Sequence, residues 1–146
     1  MPIYWIVLLL VGIAAGAMGL VNERADAHSK AADLSSIAHN MLIYRNALAE
    51  YAHGNQSAVG PVADAALALP SWYIRLPGIS GYIASGSSYT YYASPPQGLV
   101  RELVTITGTS QAVGYVVNGQ LVSPSGGMIG VSVPGVVHNG SAVAFQ

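Results

Sequence analysis

"VNERADAHSKAADLSSIAHNMLIYRNALAEYAHG", residues 21–54, contains no proline, and no glycine before its last residue. Alanine, the strongest helix former, recurs throughout it. From Leu34 the apolar side chains fall at Leu34, Ile37, Met41, Tyr44, Leu48 and Tyr51. These alternating steps of three and four put them on one stripe of a helix. Gly54-Asn55 is the first credible stop. The stretch therefore predicts one unbroken helix whose stripe docks on a partner or on the chain's own head.

Upstream of this rod, Ile3 to Val21 is uncharged. At ~1.5 Å per residue it would span about 28 Å as a helix, close to the ~30 Å hydrocarbon core of a bilayer. Tyr4 and Trp5 stand at one end, where aromatic rings favour the headgroup zone. Gly12 and Gly16 form a GxxxG, and Ala15 with Gly19 repeats the spacing. Such small residues let two helices approach closely in lipid, so Gly12, Gly16 and Gly19 are candidate packing positions for a homo-oligomer or another membrane helix. The expected organisation is a transmembrane anchor over 1–21, an amphipathic extension of the same helix over 22–53 and a small domain over 54–146.

A cleaved leader competes with the anchor. Ala15-Gly16-Ala17 and Ala25-Asp26-Ala27 have the small-x-small form that signal peptidase reads. Against cleavage, neither Lys nor Arg precedes the apolar stretch, and that stretch is longer than a usual leader core. The flanking charges give weak guidance on orientation, because Arg24 and Lys30 follow the span.

The remainder changes texture. Pro61 to Leu69 is Ala-rich and reads as a short helix ended by Pro70. Gly81 to Ala93 carries β-formers and reads as one strand or a hairpin. Leu99 to Thr107 sets Leu99, Leu103 and Ile106 on one face, which suits an amphipathic helix, although its β-branched residues leave a strand open. "VGYVVNGQLV", residues 113–122, places Asn118-Gly119 between apolar arms, the signature of a type I′ hairpin. "VVHNGSAV", residues 136–143, repeats the device at Asn139-Gly140, and "MIGVSV" between them alternates as a strand. A long helix, shorter ones and then mostly antiparallel strands make an α+β fold with a pilin-like layout.

Composition narrows the function. Of 146 residues only 8% are charged and the net charge is −1, so no basic patch recruits nucleic acid. Cysteine is absent, which excludes disulfides and thiolate chemistry. His28, His39 and His53 lie 11 and 14 residues apart on one helix and cannot converge on one ion, while His138 falls in an expected turn. No GxSxG, GxxxxGK[ST] or GxGxxG occurs, so hydrolase and nucleotide chemistry lack support. Tyr89, Tyr91 and Tyr92 suit cross-strand packing better than ligand stacking, and Glu102 beside Arg101 has no second acid nearby in sequence. The expectation is a protein that is not an enzyme, with no catalytic residues, no cofactor, no metal and no evident small-molecule substrate.

An apolar helix that continues as an amphipathic rod into a charge-poor head looks like the layout of type IV pilins. The prepilin signature is missing, however: no basic leader ends in Gly before Phe or Met, and no Glu lies a few residues into the apolar stretch. The chain more closely resembles the PilM family of the thin-pilus operons of conjugative plasmids, distinct from the actin-like ATPase that shares the name. The resemblance covers nearly the whole chain. It rests on "WIVLLLVGIAAGAMGL" at residues 5–20, "LVRELVTITGTSQAVGYVVNGQLVSP" at 99–124 and "VPGVVHNGSAVAF" at 133–145. It implies an inner-membrane component of pilus biogenesis, in the basal body or the pilin-transport apparatus, with other pilus assembly proteins as partners and the C-terminal domain in the periplasm. A minor pilin built into the fibre and a secreted binding module with a cleaved leader are the alternatives.

Overall fold

The computed structural model describes the backbone over residues 3–108, 112–124 and 127–146, and within these ranges the side chains from residue 25 onward. The first element is a single helix, α1 (Ile3–Gly54), and it ends at the glycine where the sequence offers its first stop. The chain divides into two compact units, residues 1–33 and 34–146. In the first, the described side chains, 25–33, are all exposed. Ile3 to Val21, with Gly12, Gly16 and Gly19, lies outside the residues whose side chains are described. Among the described residues, no helix is long and apolar enough to cross a membrane.

The second unit is an α+β head. After α1 come the strands β1 (Ile79–Ala84) and β2 (Ser87–Tyr92), the helix α2 (Leu99–Thr107), and the strands β3 (Val113–Val117), β4 (Gln120–Val122), β5 (Met128–Ser132) and β6 (Ala142–Phe145). The six strands form one antiparallel sheet in the order β1-β2-β6-β3-β4-β5. The last strand thus lies in the middle, pairing Tyr92 with Ala142 on one side and Tyr115 with Ala142 on the other.

Local chemistry explains the reversals. Residues 81–93 resolve as a hairpin: Ser85 and Gly86 both take positive φ, 53° and 77°, at its tip. Asn118 and Gly119 do the same at 50° and 73° between β3 and β4. Positive φ at both central residues is the type I′ geometry, whose twist matches the flanking strands. Gly98 and Gly108 flank α2 in the left-handed region, so the helix starts and stops where a Cβ would be strained.

Two expectations are corrected. Pro61 to Leu69 does not form a helix; only a single 3₁₀ turn, Asp64–Ala66, appears there, and its N-cap residue Ala63 makes no side-chain cap bond. Nine residues without a capping side chain or an apolar stripe cannot offset the cost of nucleation. Asn139-Gly140 does not join a hairpin either. Only Gly140 has positive φ, and Ser141 N–H donates to His138 O at 3.2 Å. This turn feeds the chain into the slot between β2 and β3, where Val116 N–H donates to Ser141 O at 3.0 Å. The same dipeptide redirects the chain rather than folding a strand back on its neighbour.

The main core lies between the helices and one face of the sheet. Ala38, Met41, Tyr44, Leu48 and Ala52 of α1 join Leu99 and Leu103 of α2 against Ile79, Ile83, Val113, Ala142 and Ala144 of the strands. The small residues are placed where helix meets sheet. A Cβ on Gly81 would lie 2.7 Å from both Leu48 Cδ2 and Tyr44 Cε1, closer than packed carbon atoms come. A second cluster, with Tyr89, Val116, Leu121, Val133, Val137 and Val143, covers part of the opposite face.

Candidate functional site

The α1 stripe is spent inside the head. Met41, Tyr44 and Leu48 are fully buried, and Leu34, Ile37 and Tyr51 are half-buried against the same cluster. Burying each large side chain contributes about 1.5–3 kcal/mol, so this face is held closed by its own sheet. Of the two docking targets the sequence allows, the chain's own head occupies the stripe.

What lies beside the stripe is a polar hub that periodicity does not reveal. Asn40 faces the loop between Pro70 and Pro77. Its Nδ2 donates to Ile74 O at 2.8 Å, while Oδ1 accepts from Tyr73 Oη at 2.8 Å and from Leu76 N–H at 3.2 Å. Tyr73 Oη also lies 3.1 Å from Asn40 O. One amide side chain thus fixes three loop residues to α1. Further along the same loop, Arg75 Nε pairs with Asp64 Oδ2 at 3.1 Å, and its Nη1 donates to Ile79 O at 3.3 Å. The guanidinium carbon sits 5.4 Å from the centre of the Tyr44 ring, within cation–π range. The Asp64 and Arg75 side chains are 42% and 36% exposed, so the pair itself contributes little net stability.

Desolvation sets the electrostatics here. Burial, aided by the neighbouring Tyr44 and Asp64, pushes the Tyr73 hydroxyl up to about 12 against the lowering effect of Arg75. Burial also raises Tyr44, partly opposed by Arg75. Arg45, half-buried without a carboxylate, is held below its ordinary value by desolvation. These groups keep their ordinary charge states at neutral pH, and none is poised to move a proton.

The residues considered for chemistry are dispersed. His28, His39, His53 and His138 are all exposed, with His39 Nδ1 lying 2.8 Å from Ser35 O. Among the described residues, no three His, Cys, Asp or Glu side chains gather as a metal site would require. Tyr89 is buried, its ring 5.4 Å from Phe145 at 40° and its hydroxyl donating to Ser132 O at 3.4 Å. Tyr92 packs on the helix side, closing over Gly78. Arg101 is exposed on α2 and Glu102 half-buried.

The PilM family profile matches residues 7–145. The chain belongs to the PilM family. A protein described as PilM from Pseudomonas aeruginosa 2192 is 41% identical, with a TM-score of 0.51 over 78% of this chain and 93% of that one. A second protein described as PilM, from Escherichia coli B7A, is 23% identical and shares the fold, with a TM-score of 0.61 over 80% of this chain and 94% of that one. None of the curated proteins matches. The head described above is therefore a fold shared with other PilM proteins.

Proposed function

We propose that this PilM-family chain is a non-enzymatic, single-span inner-membrane subunit of a type IV (thin) pilus biogenesis apparatus, a basal-body or pilin-transport component that acts through protein–protein contacts. The observation that carries the reading is the family match over 7–145, which takes in most of the apolar segment as well as the head. The unbroken run of α1 from Ile3 to Gly54 supports it, because a helix without a break joins that segment to the head. The uncharged Ile3 to Val21 would hold the chain in the bilayer, and the head would lie in the periplasm.

Alkaline carbonate extraction of membranes from producing cells tests the anchor. The full-length chain stays in the pellet under this reading, and release of intact protein refutes it. N-terminal sequencing of the same material separates the alternatives: a start after Ala17 or Ala27 means a cleaved, exported module. Recovery of the chain in sheared fibres means a minor pilin.

A further inference from the structure

With the α1 stripe buried in its own head, any partner must use another surface. Trp72 and Ile74 are 70% and 79% exposed. Single exposed apolar residues are ordinary, but these two flank Tyr73, whose backbone segment is clamped to α1 through Asn40. The loop cannot easily turn either side chain inward without breaking that clamp. Two residues before Trp72, Pro70 lines a cleft of about 240 Å³ together with Ile43, Asn46, Ala47 and Glu50 of α1 and with Ala68. That volume falls short of the ~300–1,000 Å³ of small-ligand pockets and suits one or two inserted side chains. Glu50 is exposed, and among the described residues the one ion pair is Arg75–Asp64, so its charge is unmatched.

We propose that this surface docks a basic amphipathic helix of a partner protein. An apolar side chain of that helix fills the cleft over Ile43 and Ala47. Another, about one turn on, rests against Trp72 and Ile74, and a lysine or arginine meets Glu50. Helices that lie in grooves present apolar anchors at this spacing. The charge argues against a lipid surface: an anionic headgroup layer is repelled by Glu50 and by a net charge of −1, and no Lys or Arg lines the cleft to offset them. The inference rests on the reading of the chain as a protein-binding subunit and supplies the surface.

The test uses the full chain in zwitterionic nanodiscs with Trp5→Phe, so that Trp72 is the single tryptophan reporter. The probe is a synthetic 18-residue helix of leucine and lysine with leucines on one face, compared with its leucine–glutamate counterpart. The Leu/Lys peptide is expected to shift Trp72 emission saturably. Glu50→Gln weakens its binding about three- to fivefold, as loss of an exposed charge pair should, and narrows the preference for lysine over glutamate. Ile74→Ser weakens both peptides. Glu50 and Ile74 are both exposed, so these two variants keep the far-UV spectrum of the Trp5→Phe parent.

Equal binding of the two peptides together with indifference to Glu50→Gln overturns the proposal. So does a Trp72 shift that follows protein concentration alone, which assigns the surface to a second copy. A shift with phosphatidylglycerol vesicles and no peptide assigns it to a membrane and overturns the proposal equally. Neither Glu50→Gln nor Ile74→Ser touches Ile3 to Val21, and carbonate extraction of the unsubstituted chain reports on the anchor independently of the outcome.

Discussion

Replacing Asn40 with alanine removes the amide that ties the Trp72-bearing loop to α1. Three hydrogen bonds go: Nδ2 to Ile74 O, Tyr73 Oη to Oδ1 and Leu76 N–H to Oδ1. Each is worth about 0.5–1.5 kcal/mol net, a gross loss of about 1.5–4.5 kcal/mol. Two features reduce it. Tyr73 Oη keeps the Asn40 carbonyl, 3.1 Å away, and the exposed Ile74 carbonyl can be satisfied by water. The expected destabilisation is therefore about 1.5–2.5 kcal/mol.

Asn40→Asp separates the contributions. It keeps an acceptor for Tyr73 Oη and Leu76 N–H and strengthens both with charge, but it sets a carboxylate oxygen against Ile74 O in place of the donor and should cost about 1–3 kcal/mol. Urea unfolding of the full chain in detergent, followed by Trp72 emission in a Trp5→Phe background, measures both. Trp72 should also become more mobile in the alanine variant before global unfolding, as a local opening of the loop. Equal stability of the Asn40→Ala variant and the parent, with unchanged Trp72 anisotropy, would mean that the clamp does not hold the loop, and the argument for a fixed docking surface would fail with it.

Gly81→Ala places a methyl 2.7 Å from Leu48 and Tyr44. It should destabilise the head by about 1–2 kcal/mol in the same assay, since overpacking outweighs the entropy gained in the unfolded chain. At Gly54 nothing lies within 4 Å, and Gly54→Ala should be neutral or stabilising by up to about 1 kcal/mol; the reverse order would contradict the packing described. On pH, the folded Tyr73 hydroxyl is raised to about 12 from 10.0. Its contribution is complete below pH 10 and is lost as the pH rises through 12. Unfolding scans should show stability falling across that window, and Tyr73→Phe should flatten the fall while lowering stability at neutral pH.

Much of the head could be read directly from the residues. The period-3.6 stripe from Leu34 to Tyr51, the amphipathic Leu99–Thr107 and the hairpin at Asn118-Gly119 are each specified by side chains close in sequence, and each appears as expected. Residues 61–69 failed because alanine propensity without a cap or a buried face is too weak a signal over nine residues. Asn40 carried no local sign, since its partners lie 33 to 36 residues away. Trp72 and Ile74 look in the sequence like any apolar pair between prolines. Their exposure is a property of where the loop is tied.

Local covalent and steric preferences, acting over a few residues, determined the long helix, the turns and the antiparallel character of the strands. Tertiary structure alone decided three things: that β6 enters between β2 and β3, that the apolar stripe of α1 is covered by the chain's own sheet, and that Trp72 and Ile74 remain outside. The reason is the same in each case. Which apolar face is buried, and against what, depends on competition among surfaces distant in sequence, and only the assembled core sets the outcome of that competition.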